Sequence, residues 1–252
     1  MAKIALITGA TSGIGEACAW VFAREGYNLI LTGRRHDRLE KLASAINDQF
    51  NVEVAISSFD VRNREATISN LEGLPAEWKR VDVLVNNAGL SQGLDSLQNG
   101  SYDDWETMID TNVKGLLYVS KVVSNWMISN GLGHIINMGS IAGKEVYPNG
   151  NVYCATKHAV DALNKAMRID LAPHGIKVTA IHPGAVETEF SEVRFKGDKE
   201  RAKKVYDGFE PLVAADIAET VWFAASRPAH VNINEILVSP TAQATATNIV
   251  RK

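Results

Sequence analysis

The chain has few of the features that mark secretion, membrane insertion or nucleic-acid binding. Among 252 residues there are two cysteines, Cys18 and Cys154, far apart and in no C-x-x-C pair. That excludes a disulfide framework and points to a reducing compartment. No apolar run approaches the ~18–20 residues a membrane span needs. The N-terminal apolar stretch, residues 1–9, is too short for a secretory signal and runs into a glycine-rich turn. Cytoplasm is therefore the expected location, with no membrane partner. Positive charge is not in excess either, since 26 Lys and Arg face 29 Asp and Glu. A net charge of -3 gives no polybasic footprint, so no nucleic-acid partner is expected. The six histidines show no ligand-like clustering such as H-E-x-x-H, and no metal is expected. Linkers rich in Pro, Gly and Ser, internal repeats and low-complexity blocks are missing as well.

What is present is an ordinary globular composition, 46% hydrophobic and 22% charged. Short apolar runs at 3–8, 28–32, 52–58, 81–86, 134–138, 177–181 and 235–238 are rich in Val, Ile and Leu with little alternation. Strands buried on both faces have that character. Between them, residues 14–25, 36–48, 64–71, 102–129, 152–172 and 215–225 read as helices. Alternation of this kind predicts a single-domain α/β doubly wound Rossmann fold over 1–252, a seven-stranded parallel sheet with helices on both faces. Residues 187–209 break the rhythm. They are polar, charged and longer than a normal connection, and read as a substrate lid or as a solvated surface helix.

The first predicted strand ends in Thr8-Gly9-Ala10-Thr11-Ser12-Gly13-Ile14-Gly15 and feeds a helix. Gly9, Gly13 and Gly15 allow a sharp turn and close backbone approach to a ligand. Free N–H groups at the helix start then favour a pyrophosphate. The G-xxx-G-x-G spacing is a variant of the dinucleotide fingerprint, read with Thr11, Ser12 and Ile14 as part of the cradle. The second strand ends in Thr32-Gly33-Arg34-Arg35, where an NAD enzyme would carry an acid on the ribose. With no acid to repel a 2′-phosphate, and with guanidinium groups able to bind one, NADP is the expected cofactor.

Tyr153 and Lys157 are spaced i, i+4 and share one helical face. A phenol of ordinary pKa about 10 is a poor base, and a neighbouring ammonium would lower it into the working range. Ser140 follows the strand at 134–138, at the carboxyl edge where doubly wound sheets bind ligands. Asn112, within the predicted helix 102–129, and Asn86-Asn87-Ala88-Gly89 face the same edge. Singly, each reads better as a cap or turn residue than as a catalyst; together they describe a site.

These residues resemble the short-chain dehydrogenase/reductase family along essentially the whole chain. The matching pieces are TGATSGIG at 8–15, Asp60-Val61, NNAG at 86–89, Asn112, Ser140, Tyr153-Cys154-Ala155-Thr156-Lys157, and Pro183-Gly184 followed by Thr188. The resemblance implies that Tyr153 is the general acid/base and that Lys157 lowers its pKa and holds the nicotinamide ribose. Ser140 would polarise the substrate oxygen, and Asn112 would anchor a water leading from Lys157 to solvent. It further implies that Asp60 and Val61 flank the adenine, that Asn87, Ala88 and Gly89 lie near a ribose, and that Pro183, Gly184, Val186 and Thr188 cradle the nicotinamide amide and phosphate.

Residues 74–78, 104–112, 150–153, 193–198 and 228–234 resemble more narrowly the NADP-dependent 3-hydroxy acid dehydrogenases, which act on L-allo-threonine, serine and related acids. A small carboxylate substrate needs a cation, and Arg194 and Lys196 in the expected lid are candidates, with plain solvation as the competing reading. A tetramer is common in that family, and the apolar run at 233–238 with the Ala/Thr-rich tail reads as a subunit contact. Two other functions fit less of the sequence. A broader carbonyl or 3-oxoacyl reductase would suit a longer apolar lid, and a non-catalytic NADP(H) sensor would not need the Tyr153/Lys157 pair.

Overall fold

Val, Ile and Leu crowd the strand segments, and in the folded chain their side chains alternate between two buried layers. A computed structural model describes residues 2–252; Met1, the first residue of the expected domain, lies outside them. In chain order the elements are β1 (Ile4–Thr8), α1 (Gly13–Arg24), β2 (Asn28–Gly33), α2 (His36–Gln49), β3 (Val54–Ser58), α3 (Arg64–Glu72) and β4 (Val83–Asn86). Then follow α4 (Tyr102–Ile109), α5 (Leu116–Asn130), β5 (His134–Met138), α6 (Asn151–Leu171) and β6 (Lys177–Pro183). The last part holds β7 (Val186–Glu187), α7 (Phe190–Arg194), α8 (Lys199–Lys204), β8 (Leu212–Val213), α9 (Ala214–Ala225) and β9 (Glu235–Val238).

Seven strands form one parallel sheet in the order β3-β2-β1-β4-β5-β6-β9. The expected single-domain doubly wound fold is the one observed. Leu6, Ile30, Leu84 and Ile135 pack on one face with Leu71, Val119, Val123 and Met127. On the other face Ile7, Leu31, Val85 and Ile136 meet Phe22, Leu39, Ile46, Ile217 and Val221. Full burial of one such side chain stabilises the fold by roughly 1.5–3 kcal/mol, so each helix is fixed by a handful of contacts. The strand order reverses between β1 and β4, which opens a crevice at the carboxyl edge.

Two differences from the sequence reading bear on that crevice. The helix expected over 102–129 is present as a continuous stretch, but a π turn at Asp110–Gly115 divides it into α4 and α5. Such turns insert an extra residue and re-aim side chains, and Asn112 lies within this one. Helical periodicity survives the insertion, which is why one helix was expected. Residues 187–209 are neither a plain loop nor one helix. They hold the short α7 and α8, bracketed by the two-stranded β7–β8 ladder.

Below the crevice runs a buried chain of amides. Asn86 Nδ2 donates to Ser120 Oγ at 2.8 Å and to Asn137 Oδ1 at 2.9 Å, and Asn137 Nδ2 donates to Asn164 Oδ1 at 3.0 Å. It ties β4, β5, α5 and α6 together and sets the position of α6.

Candidate active site

The first turn is built by glycine and held by asparagine. Gly9 (φ 68) and Gly13 (φ 57) occupy the left-handed region, where other residues are strained. A side chain at Gly15 would place its Cβ 2.4 Å from the Gly9 carbonyl oxygen. Asn87 Nδ2 donates to the carbonyls of Thr8 at 2.9 Å and Gly9 at 3.2 Å, while Thr8 Oγ1 accepts from the N–H groups of Asn87 and Ala88 at 3.0 Å each. Asn87 therefore spends its amide on the turn. Ser12 makes no side-chain cap at the start of α1, so first-turn N–H groups stay available to an anion. The cradle fits a pyrophosphate.

Arg34 and Arg35, read together from the sequence, behave differently. Arg34 lies on the cleft wall with its side chain 59% exposed and its Nη1 4.0 Å from Asp60. Arg35 turns inward, donating to Thr11 and Ser12 on the phosphate turn and to Glu189. Asp60 is clasped by Arg62; burial works against its charge, yet the Arg62 hydrogen bonds hold its carboxyl below the usual range. Val61 packs on the π turn, where a Cβ on Gly115 would lie 2.8 Å from Val61 Cγ2.

Tyr153 and Lys157 enter the cleft from the first turns of α6, and Ser140 meets them from the end of β5. All three are buried. Ser140 faces Tyr153 across the cleft, and its Oγ accepts from the N–H of Ala142 at 3.1 Å. Lys157 Nζ donates to the Met138 carbonyl at 2.9 Å, and burial lowers its pKa to about 8. Burial pushes the Tyr153 phenol up from its ordinary value; Arg194 is the first group that pulls it back, followed by the Ser140 hydroxyl. The sequence pointed to Lys157 for that role. Here its ammonium stands 6.0 Å from the ring centre and is committed to Met138.

Asn112 is close but turned to another task. Its Oδ1 accepts from the N–H of Leu90 at 2.8 Å, and its Nδ2 donates to the Leu90 carbonyl at 2.8 Å and to Thr156 Oγ1 at 3.0 Å. The side chain thus fastens α6 to the strand-four loop and does not line the cleft. Gly89 permits this closeness, since its Cβ would lie 3.2 Å from Asn112 Oδ1 and 3.5 Å from Lys157 Nζ.

The opposite wall comes from 183–209. Pro183, Gly184, Val186 and Thr188 line the cleft, with Gly13 packed against Thr188. Arg194 stands over the Tyr153 ring at 5.2 Å and the Phe190 ring at 5.0 Å, and donates to the Tyr147 hydroxyl at 3.0 Å. Its Nε is buried without a partner. Lys196, the other expected carboxylate partner, is not in the cleft; it pairs with Asp104 at 2.9 Å on the outside. The whole cleft measures about 600 Å³.

A family model described as short chain dehydrogenase matches residues 3–199. The chain belongs to the short chain dehydrogenase family. It is similar to the NADP-dependent 3-hydroxy acid dehydrogenase YdfG of Salmonella typhi, 48% identical over 96% of this chain and 97% of that one. Sulfoacetaldehyde reductase 2 of Chromohalobacter salexigens is 45% identical, covering 97% of this chain and 96% of its own. The closed form of a serine dehydrogenase complexed with NADP+ superposes with a TM-score of 0.92 at 46% identity, over 99% of both chains. The chain is accordingly an oxidoreductase.

Several residues of this dehydrogenase cleft gave no usable signal in the sequence. Tyr147, Glu189, Phe190, Tyr206 and Gln243 all line it. Gln243 belongs to the tail, read earlier as a subunit contact. The tail folds back, so that Gln243 Oε1 accepts from the Ala185 N–H at 2.8 Å and sits where a Cβ on Gly184 would fall. Only the family's Pro-Gly step at 183–184 hinted that something must approach that backbone. Behind Ser140, ligating atoms of Asp161, His182 and Glu235 lie within 4.8 Å of one another. The Lys144 ammonium already bridges the two carboxylates at 2.8 and 2.5 Å, so a cation of the chain itself fills that place.

Proposed function

We propose that the chain is an NADP-dependent dehydrogenase of small 3-hydroxy acids, of the L-allo-threonine, serine and 3-hydroxypropionate type, acting at the 3-hydroxyl carbon. Bound NADP supplies the hydride acceptor, and NADPH the donor in the reverse direction. Tyr153 takes the hydroxyl proton during oxidation and returns it during reduction. Ser140 orients the reacting oxygen by hydrogen bonding. Lys157, cationic at neutral pH, holds the nicotinamide ribose in this reading; Asn112 acts by holding α6 in place. One observation carries the substrate class: Arg194 presents a guanidinium with an unpartnered buried Nε beside the Tyr153 ring. In this reading the Arg194 guanidinium takes the substrate carboxylate and so turns the 3-hydroxyl toward the phenol.

The test is NADPH formation from L-allo-threonine, L-serine, D-threonine, 3-hydroxypropionate and 3-hydroxybutyrate, with NADP or NAD, beside Tyr153→Phe. Turnover with NADP that vanishes in the variant supports the reading. Silence across the panel with NADPH still bound removes it. A second reading places a sulfonate on Arg194, supported by the same guanidinium and by the reductase relative, and sulfoacetaldehyde with NADPH tests it.

Residues 187–209 serve as the lid in this reading. The protein is read as a cytoplasmic homotetramer, supported by free, buried thiols and by the apolar Ile109, Leu117, Ile169, Phe223 and Leu237 left exposed on the protomer. No helix among the described residues is long and apolar enough to cross a membrane. Sedimentation of the purified protein tests the assembly; a monomer would remove it.

A further inference from the structure

Glu189 follows β7 at the root of the 187–209 segment, and its two oxygens face two different cations. Oε2 accepts from Arg35 Nη1 at 2.8 Å and Oε1 from Arg38 Nη1 at 2.6 Å. Burial works against its charge, but hydrogen bonds from Arg38 and Arg35 outweigh this and bring its pKa to about 2. It is an anion throughout the neutral range.

Arg35 is held equally on its other side. Its Nε donates to Thr11 Oγ1 at 3.1 Å, and its Nη2 to Thr11 Oγ1 at 2.9 Å, Ser12 Oγ at 2.8 Å and the Thr11 carbonyl at 3.3 Å. A guanidinium offers its donors in a fixed planar fork, and all three nitrogens of Arg35 are engaged within the protein. Arg34 has no contact of that kind; its nearest acid is Asp60 at 4.0 Å. Of the paired arginines, one is spent joining the phosphate turn to the segment beyond β7, and the other stands free on the cleft wall.

The segment has other ties: Thr188 packs beside Gly13 of the phosphate turn, and two polar ties lie elsewhere. The Gly93 N–H donates to the Arg194 carbonyl at 3.0 Å, and Lys196 pairs with Asp104. Glu189 is the charged tie, joined through Arg35 to Thr11 and Ser12 of the phosphate turn. Its ion pairs are half-exposed, and exposed pairs are weak enough to break and re-form.

We infer that Glu189, with Arg35 and Arg38, is a latch that fastens the 187–209 segment across the phosphate turn, leaving Arg34 to distinguish NADP from NAD. This rests on the reading of NADP as cofactor and of 187–209 as lid. The latch touches nothing specific to a 2′-phosphate, so its loss affects both cofactors alike. The opposing arrangement, in which Glu189 competes with the 2′-phosphate for Arg35, has the opposite sign and acts on NADPH alone.

The experiment uses the full-length protein, Glu189→Gln, Arg38→Gln and Arg34→Ala. It measures NADPH and NADH binding by calorimetry and hydrogen exchange of 187–209 with NADPH bound. Glu189→Gln is expected to weaken NADPH and NADH by one common factor, about 3–10-fold, and to speed exchange at 187–195. Arg38→Gln should do the same more weakly. Arg34→Ala is expected to weaken NADPH by about 10–100-fold, leaving NADH binding and exchange unchanged. Selective tightening of NADPH in Glu189→Gln, or unchanged exchange at 187–195, overturns the latch. If the native protein binds NADPH no better than NADH, the assignment of Arg34 fails, while the exchange measurement still decides the latch.

Discussion

The guanidinium carbon of Arg194 lies 5.2 Å from the centre of the Tyr153 ring, closer than the 6.0 Å of Lys157 Nζ. A cation delivered by the segment beyond β7 thus sits over the phenol that the sequence pairs with a lysine one helical turn away. In this position Arg194 favours the phenolate, and in the proposed function it is also the anion site for the substrate.

Arg194→Ala separates these effects. Loss of a charge-assisted hydrogen bond of about 1.5–3 kcal/mol should raise KM for a 3-hydroxy acid by about 10–150-fold. Arg194 lowers the phenol's pKa, so its removal raises it, and the rising limb of oxidation against pH moves to higher pH. Arg194→Lys keeps the charge and should keep most of the pH profile. An unchanged KM in Arg194→Ala removes the carboxylate site.

Lys157 should leave a signature in stability. Its pKa falls from 10.5 unfolded to about 8 folded. Between those values the unfolded chain holds a proton that the folded chain has released, so folding gains as pH rises through the window. At about 1.4 kcal/mol per unit, the cofactor-free native protein should gain roughly 3 kcal/mol on Lys157→Met between pH 8 and pH 10.5. Denaturant unfolding of both proteins at several pH values measures the difference. A constant gap would mean that Lys157 is not desolvated.

Gly15→Ala forces a Cβ against the Gly9 carbonyl and Asn87 Nδ2. Backbone shifts of that kind cost about 1–3 kcal/mol, and here the shift opens the phosphate cradle. NADPH affinity should fall at least tenfold while the far-ultraviolet circular dichroism stays native. Retained affinity would place the pyrophosphate elsewhere.

Asn112→Ala strips Leu90 and Thr156 of buried partners. At about 1–3 kcal/mol for each of the two stranded Leu90 groups and about 2–4 °C per kcal/mol for a chain of this size, Tm should fall by at least about 4 °C. Turnover should fall as α6 loosens, with NADPH still bound. A full loss of turnover at native Tm would instead give Asn112 a direct part in the chemistry.

The glycine turn and the Tyr153/Lys157 spacing were legible because they depend on neighbours in the chain. Positive φ at Gly9 and Gly13 and the shared helical face of 153 and 157 are local consequences of residue type. The helical stretch at 102–129 was legible for the same reason, but its π turn was not, since apolar periodicity does not register one extra residue at Asp110–Gly115. Nor could it show that Lys196 pairs outward with Asp104 while Arg194 turns into the cleft.

Residue pattern by itself determined the doubly wound sheet, the order of its elements, the phosphate turn and the three polar residues that converge at Ser140, Tyr153 and Lys157. These follow from periodicity and from backbone freedom, which act over a few residues. Only the tertiary structure decided which of two adjacent arginines keeps its donors open, which cation lies nearer the phenol ring, and that Gln243 reaches the cleft from the tail. Each of those outcomes depends on long-range partners: Glu189 for Arg35, Phe190 and Tyr147 for Arg194, and Ala185 for Gln243. A side chain's charge is written in the sequence, but the partner that takes it up is set by the packing of the whole chain.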